Sequence, residues 1–164
     1  MTTHIGVISD THGLLRPEAV TALQGSELII HAGDIGTPEV LEALGRIAPV
    51  IAVRGNVDTD DWASALPATE VVEAGGSHFY VLHQIDHLDL DPVEAGFTAV
   101  IYGHSHRPSA EIRKGVLYLN PGSAGPKRFS LPITLVRLRL NGRSLEPEFV
   151  SLDAPRGRVS AVVH

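Results

Sequence analysis

Cysteine is absent from the 164 residues of this chain. Without thiols the protein can form neither a disulfide framework nor a metal site built from thiolates, and this fits the reducing cytoplasm, where we expect it to be located. Basic residues are also few, because 13 lysines and arginines stand against 19 acidic residues and give a net charge of −6. This balance argues against the broad basic surface with which proteins bind polymeric nucleic acid.

Long hydrophobic runs are missing as well. No stretch approaches the ~20 apolar residues of a membrane span, and no basic segment followed by an apolar run begins the chain. The content of 43% hydrophobic and 20% charged residues is ordinary for a globular protein. We expect one domain at residues 1–152, a tail at 153–164 with little apolar periodicity, and no membrane association. A homo-oligomer remains open.

The first half of the chain alternates short apolar runs with helical segments. The runs His4–Ser9, Glu27–His31 and Pro49–Val53 lack strict alternation, as expected for strands that are covered on both faces. The segments Pro17–Gln24 and Pro38–Ile47 each begin with proline, which is favoured in the first turn of a helix. This order predicts βαβ units on a parallel sheet.

The second half consists mostly of strands joined by tight turns. Gly75-Gly76 and Asn141-Gly142 are hairpin signals, and the Asn-Gly pair is the stronger because a type I′ turn needs positive φ at both central residues. The predicted strands are Glu70–Ala74, Ser77–His83, Thr98–Tyr102, Ser109–Lys114, Val116–Asn120, Ile133–Leu140 and Ser144–Leu152. The whole chain therefore predicts an α/β fold of two sheets packed face to face with helices outside.

Polar clusters follow the predicted strands at their carboxyl ends. They are Asp10-Thr11-His12, Gly33-Asp34, Gly55-Asn56, His83 and Gly103-His104-Ser105-His106. In open α/β sheets, ligands bind in the crevice outside the carboxyl ends of the strands, so residues far apart in sequence converge there. We expect these clusters to form one site.

The residue types in these clusters indicate a site for two divalent ions. Carboxylate and imidazole together suit Mn²⁺, Zn²⁺, Fe or Ni, whereas a site of oxygen ligands alone would suit Mg²⁺ or Ca²⁺. Two such ions outweigh the charge of two aspartates and attract phosphate. A bound metal can lower the pKa of water from 15.7 to about 7, and two metals can clamp the oxygens of an in-line displacement.

The order of these clusters resembles the signature of the calcineurin-like metallophosphoesterases, and in particular their small phosphodiesterase branch in bacteria and archaea. Ser9–Gly13, His31–Asp34 and Asn120–Ser123 match that branch residue by residue, and the resemblance covers residues 4–152. It implies a four-layer α/β/β/α sandwich. It also implies a bound pair of metal ions, with Mn favoured and Fe, Ni or Zn as alternatives.

Carried over by position, the resemblance assigns seven ligands. The first ion would be bound by Asp10, His12, Asp34 and His106. The second ion would be bound by Asp34, Asn56, His83 and His104, so that Asp34 bridges the two.

The implied activity is hydrolysis of a small phosphodiester, or less favourably a phosphomonoester, by a hydroxide that bridges the metals. The residues closest to this chemistry would be Asp10, His12, Asp34 and Asn56. Asn56 and Arg107 are the candidates for contact with substrate, although a plain surface arginine explains Arg107 equally well.

The chain departs from the family pattern at two positions. Many relatives have Gly-Asn-His-Glu where this chain has Gly55-Asn56-Val57-Asp58, so the histidine that assists the leaving group is absent. Asp58 would replace it only with a raised pKa, and the proton donor is unassigned. The family often has glycine after the position of His83, where this chain has Gln84, whose side chain would narrow the pocket or bind substrate.

Other readings compete with this one. His31 is expected to anchor its strand end by a buried hydrogen bond, and His87 to lie in a solvated acidic loop. A protein-interaction scaffold with the same fold, like a subunit of the retromer complex, is the alternative function. A scaffold is free to lose ligands, whereas all seven positions are filled here. A nuclease on polymeric nucleic acid is disfavoured by the acidic balance.

Overall fold

The computed structural model describes residues 2–153, and these form two five-stranded mixed sheets. The first sheet contains β1 (Thr2–Ile8), β2 (Leu28–His31), β3 (Val50–Ala52), β9 (Thr134–Asn141) and β10 (Ser144–Ser151), in the order β10-β9-β1-β2-β3. The second contains β4 (Thr69–Ala74), β5 (Ser77–Leu82), β6 (Ala99–Ile101), β7 (Ser109–Arg113) and β8 (Val116–Asn120), in the order β4-β5-β6-β8-β7.

The sheets pack face to face through side chains that alternate along their strands. Val7 and Ile30 of the first sheet and Phe79 and Ile101 of the second belong to this shared core and are fully buried. Because the period of a strand is two residues, the neighbouring side chains point to the outer faces, where each sheet needs a further cover. Strands β2 and β3 and the second half of β1 are consequently apolar on both faces, as the sequence predicted for the strands of the first half.

Helices supply the cover on the outer faces. On the first sheet these are α1 (Pro17–Leu23) and α2 (Pro38–Gly45), which bury Leu23 and Leu44. The short α3 (Pro92–Ala95) and its flanking segment cover the second sheet. The order of layers is helix, sheet, sheet, helix, so the predicted α/β/β/α sandwich is confirmed.

The helices end one or two residues earlier than predicted. The backbone of Gln24 is extended (ψ 138°) and Gly25 is left-handed (φ +87°), so α1 ends at Leu23. Beyond Gly45 the chain turns towards Pro49, which disfavours helical backbone in the residue before it. Two short 3₁₀ segments, Asp61–Ala65 and Ile85–His87, were not predicted.

Strand direction places the site at one edge of the sandwich. Strands β1, β2 and β3 are mutually parallel, and so are β5 and β6. Parallel strands end at the same edge, so the five loops that carry the predicted ligands leave the sheets there. Within residues 2–153, no helix has both the length and the apolar character to cross a bilayer. Apart from Asp153, the predicted tail at 153–164 lies outside the described residues, and the domain boundary stays a prediction.

Candidate metal centre

The structure brings all seven predicted ligands together, and we call them the ligand cluster. Two groups of three residues, each with ligand atoms within 4.8 Å of one another, are Asp10, His12 and His106, and Asp34, His83 and His104. Asn56 joins the second group, since its side-chain oxygen lies 3.1 Å from His83 Nε2. The grouping is the one that the family resemblance implied. The role of these residues as metal ligands stays a prediction.

Asp34, a member of the second group, also faces the first. Its Oδ2 is 3.2 Å from His83 Nε2 in the second group and 3.7 Å from His12 Nε2 in the first. Its Oδ1 accepts a hydrogen bond from the Val57 N–H at 3.0 Å, which fixes the plane of the carboxylate. This is the position that a bridging ligand requires.

Asp10 presents one oxygen to the protein and the other to the cluster. Oδ2 accepts hydrogen bonds from Ser9 Oγ at 2.7 Å and from the His104 N–H at 3.1 Å. Oδ1 lies 3.4 Å from His106 Nε2, 3.8 Å from His12 Nε2 and 3.9 Å from His83 Nε2. Three imidazoles therefore face a single carboxylate oxygen, and Asp10, His12 and His106 are close enough together to hold one metal ion.

Two buried atoms of the cluster, Asp10 Oδ1 and His12 Nε2, lack hydrogen-bond partners within the described residues. His106 Nδ1 lacks one too, while the other ring nitrogen, Nε2, lies 3.4 Å from Asp10 Oδ1. Buried polar atoms in proteins are nearly always hydrogen-bonded, and exceptions need a physical reason. The Asn56 side-chain oxygen likewise faces acceptors, the two Asp34 oxygens at 3.3 and 3.2 Å and His83 Nε2. Rotating that amide would turn these contacts into hydrogen bonds, so Asn56 can donate to its neighbours or offer its oxygen to a cation. These donor atoms fit divalent ions.

Asp34 and His83 shift each other's pKa. Burial lowers the pKa of His83, but the hydrogen bond to Asp34 and the charge of Asp10 raise it above its ordinary value overall. Burial likewise raises the pKa of Asp34, and the hydrogen bonds from His83 and the Val57 N–H bring it below its usual range. His83 Nδ1 donates to the Ala32 carbonyl at 2.7 Å, which orients Nε2 into the cluster.

The ligand loops have an unusual backbone. Positive φ occurs at seven non-glycine residues in the part of the chain that the structure describes, and five of them are ligands: Asp10 (55°), His12 (47°), Asp34 (56°), His104 (74°) and His106 (63°). Left-handed backbone is disfavoured for residues with a Cβ and clusters at functional sites, where the surrounding structure enforces it. Nothing in the sequence indicates these dihedral angles.

Glycines precede the ligands because neighbouring atoms pass too close for a side chain. A Cβ at Gly55 would lie 2.1 Å from Asp34 Oδ1, and one at Gly103 would lie 2.2 Å from Ser9 Oγ and 2.7 Å from Asp10 Oδ2. Both contacts involve groups that position an aspartate of the cluster. Gly55 therefore allows the loops after β2 and β3 to meet, and Gly103 allows the loop after β6 of the second sheet to meet the loop after β1 of the first.

A second set of side chains supports the ligand loops from behind, and we call it the supporting layer. Its members are Thr11, His31, Asp58, Asn120 and Ser123, which are all buried. Asp58 accepts three backbone N–H groups, from Ile35 at 3.1 Å, Gly36 at 3.0 Å and Gly55 at 2.8 Å. It ties the loop after β2 to the loop after β3, so both of its oxygens are already engaged in a structural role.

His31 has the anchoring role that the sequence predicted. Its Nδ1 accepts the Gly33 N–H at 3.1 Å. Thr11 Oγ1 donates to the Ile35 carbonyl at 2.9 Å, so its contact of 3.0 Å with His31 Nε2 is a hydrogen bond that the imidazole donates. Burial, partly offset by nearby aspartates, lowers the pKa of His31 to about 4, so the ring is neutral at physiological pH.

Asn120 and Ser123 support the remaining loops. Asn120 Nδ2 donates to the Gly103 carbonyl and to Ser105 Oγ, each at 3.1 Å, and thereby holds the segment between His104 and His106. Ser123 Oγ donates to the Asp10 carbonyl at 3.0 Å. These hydrogen bonds give Asn120 and Ser123 a role in supporting the site.

Arg107 and His87, the other residues considered from the sequence, lie at different positions relative to the cluster. Arg107 is exposed, and its backbone N–H donates to Ser105 Oγ at 3.3 Å, so its contact with substrate stays a prediction. His87 was expected in a solvated loop, and it is exposed, but it also lines a pocket with Asn56, His83 and Gln84. Arg54 lines the same pocket and was missed, since a lone arginine before Gly55 carries no recognisable signal.

Comparisons with known proteins agree with this geometry. Residues 3–143 match the model of the calcineurin-like phosphoesterase superfamily domain. A probable metallophosphoesterase of Methanothermobacter thermautotrophicus is 36% identical over 92% of this chain and 94% of its own. A phosphodiesterase of Methanocaldococcus jannaschii is 29% identical over 72% of this chain and 82% of its own.

A solved structure extends the likeness to the fold. Vacuolar protein sorting 29 of Cryptosporidium parvum superimposes with a TM-score of 0.83 over 97% of this chain and 96% of its own, at 19% identity. At that identity the likeness concerns the fold alone. The family match and the archaeal relatives carry the assignment further: the chain is a member of the calcineurin-like phosphoesterase superfamily.

Proposed function

We propose that the protein is a dinuclear metal-dependent phosphodiesterase that hydrolyses a small phosphoester. The observation that carries this proposal is the convergence of two ligand groups on Asp34, with Asp10 Oδ1 and His12 Nε2 buried and without hydrogen-bond partners within residues 2–153. We favour Mn²⁺, with Fe, Ni or Zn as alternatives. Bound ions would supply a water of lowered pKa and neutralise charge on the phosphate.

The protein residues have distinct tasks in this proposal. Asp10, His12 and His106 hold the first ion, and Asn56, His83 and His104 hold the second, with Asp34 shared. Hydrolysis forms a bond between a water oxygen and phosphorus and breaks the bond to the leaving alkoxide. The products are an alcohol and a phosphomonoester, and the attacking water loses one proton.

Asn56 and Arg107 are the proposed substrate contacts. Asn56 is exposed and contributes a neutral amide, so it adds no negative charge where the phosphate must bind. Arg107 is exposed directly after the last ligand and has a guanidinium that suits phosphate geometry.

Departure of the leaving group proceeds without a protein acid in this proposal. Val57 occupies the position where larger relatives have histidine and is 45% exposed, and the Asp58 oxygens accept three backbone N–H groups. The leaving alkoxide therefore takes its proton from water. We expect activity to fall steeply as the leaving group becomes more basic.

A scaffold of the same fold is the second candidate. The likeness to vacuolar protein sorting 29 proteins favours it, because their name associates this fold with sorting. A scaffold needs no catalytic activity, so its metal-ligand residues are free to be replaced by other residues. Retention of the complete ligand cluster favours the enzyme.

Metal content and hydrolysis together decide between the candidates. The protein is stripped with chelator, reloaded with Mn²⁺ and measured for bound metal, and then assayed with bis(4-nitrophenyl) phosphate and 4-nitrophenyl phosphate. We expect about two ions per chain and faster hydrolysis of the diester, which chelator abolishes. A protein that binds metal but hydrolyses neither ester would favour the scaffold.

A further inference from the structure

A pocket of about 210 Å³ opens beside the second ligand group, and we call it the side pocket. Asn56 and His83 belong both to its wall and to the ligand cluster. Asp10, Asp34 and His12 do not line it, so the pocket lies to one side of the cluster. If a phosphodiester bound with its phosphate at the cluster, one of its two ester substituents would lie next to this pocket.

The pocket combines an apolar wall with a polar rim. Leu82 and Ala68 contribute to a lining that is mostly apolar. Its volume is below the roughly 300–1,000 Å³ of pockets that enclose drug-sized ligands, so it suits one ring system rather than an extended molecule. A mostly apolar wall also disfavours a second anionic group, which would lose its hydration there.

The polar side chains that line the pocket outside the ligand cluster, and form its rim, are Arg54, Thr69, Gln84 and His87. The backbone N–H of Arg54 donates to the Pro67 carbonyl at 2.9 Å and its guanidinium to the Leu66 carbonyl, which holds the side chain at the rim. Gln84 and His87 are the ends of one turn, closed by a hydrogen bond of 3.0 Å from the His87 N–H to the Gln84 carbonyl. An amide and a guanidinium group beside the same pocket can form hydrogen bonds with the carbonyl and ring-nitrogen edge of a heterocycle, and a guanidinium also stacks on aromatic faces.

We infer that the side pocket binds a nucleobase-sized ring on the substituent that the phosphodiester retains, with Gln84 and Arg54 as residues that determine specificity. This inference rests on the proposed phosphodiesterase function and names its substrate class as small nucleotide-type diesters. The retained substituent is assigned because a leaving group departs opposite the attacking oxygen, whereas this pocket lies beside the cluster.

Two esters with the same leaving group test the inference. Methyl 4-nitrophenyl phosphate and thymidine 5′-(4-nitrophenyl) phosphate both release 4-nitrophenolate and differ only in the retained substituent. We expect the Mn²⁺-loaded wild type to have a kcat/KM about tenfold higher for the thymidine ester. Gln84→Ala should lower kcat/KM for that ester about two- to tenfold, as for one hydrogen bond, and leave the methyl ester unchanged.

Matched variants complete the design. Arg54→Ala should show the same selective loss, while Gln24→Ala and Arg46→Ala, at exposed positions on or next to α1 and α2, should change neither rate. Equal losses for both esters in Gln84→Ala and Arg54→Ala would overturn the inference, because the pocket would then serve the shared leaving group. Unchanged rates would overturn it as well. If the wild type cleaves neither ester, the proposed function itself is wrong.

Discussion

The ligand cluster and the supporting layer lie next to each other and differ in how their polar atoms are satisfied. In the cluster, Asp10 Oδ1 and His12 Nε2 are buried and make no hydrogen bond within residues 2–153. In the supporting layer, Asp58 and Asn120 each make several hydrogen bonds to backbone. This difference supports the proposal that the cluster holds cations, while the supporting layer fixes its geometry. Substitutions in the two layers should therefore differ in how they affect activity and stability.

Removing the shared ligand should have the largest effect on activity. Asp34→Asn removes the charge that both ion sites use, so we expect loss of both metals and on the order of 10³-fold lower kcat/KM, beyond the 10–100-fold typical of outer partners. The amide oxygen can still accept the Val57 N–H, but the charged partner of His83 is lost, so the free energy of unfolding of the metal-free protein should fall as well, with activity as the larger loss. Metal analysis, kinetics and urea unfolding measure the three quantities.

The exposed carboxylate Asp61 supplies the control for this variant. Asp61→Asn removes the same charge outside the site and should keep both metals and full activity. Wild-type turnover in Asp34→Asn would contradict the bridging role.

Asp58→Ala should reverse that pattern, with stability as the main loss. It leaves the N–H groups of Ile35, Gly36 and Gly55 without their acceptor, and unsatisfied buried groups cost about 1–3 kcal/mol each. We expect the free energy of unfolding of the metal-free protein to fall by roughly 3 kcal/mol or more. Asp58→Asn keeps an acceptor oxygen and should lose less. Equal losses in the two variants would show that the oxygens of Asp58 do not tie the loops together.

His31 makes stability of the supporting layer depend on pH. Its pKa is about 4 in the folded state against 6.5 in the unfolded chain, so the unfolded state binds the proton first as pH falls. The contribution of His31 is therefore complete above pH 6.5 and is lost towards pH 4, by about 3 kcal/mol in total. His31→Asn should be less stable at pH 7 and should remove this part of the decline.

Urea unfolding of the metal-free protein at pH 7, 5 and 4 measures the effect. His83 has the opposite sign, because its raised pKa contributes stability that is lost as pH rises, so only the difference between wild type and variant isolates His31. His4→Asn, at an exposed position, is the control and should follow the wild type. Parallel curves for wild type and His31→Asn would refute the assignment.

The sequence predicted the composition of the cluster better than that of the supporting layer. In the sequence, a strand end is recognised as an apolar run that stops at glycine or aspartate. Parallel strands end at the same edge of a sheet. The proximity of Asp10, Asp34 and Asn56 could therefore be predicted from local patterns. The role of Asp58 did not, because its partners Ile35 and Gly36 lie on another loop and form no sequence pattern. The positive φ of His104 and His106 was hidden for the same reason: it arises from tertiary packing rather than from local preference.

Asn120→Ala should give the smallest loss of activity. Asn120 belongs to the supporting layer, but its loss should affect ligands of the cluster. The variant leaves the Gly103 carbonyl, Ser105 Oγ and the Gly122 N–H without this partner, so the segment that carries His104 and His106 loosens. We expect kcat/KM to fall about 10–100-fold, as for outer partners of metal ligands, with weaker Mn²⁺ binding. Excess Mn²⁺ should restore part of the activity, because the ligands themselves remain. A loss that saturating Mn²⁺ does not reduce would place Asn120 in the chemistry rather than in positioning.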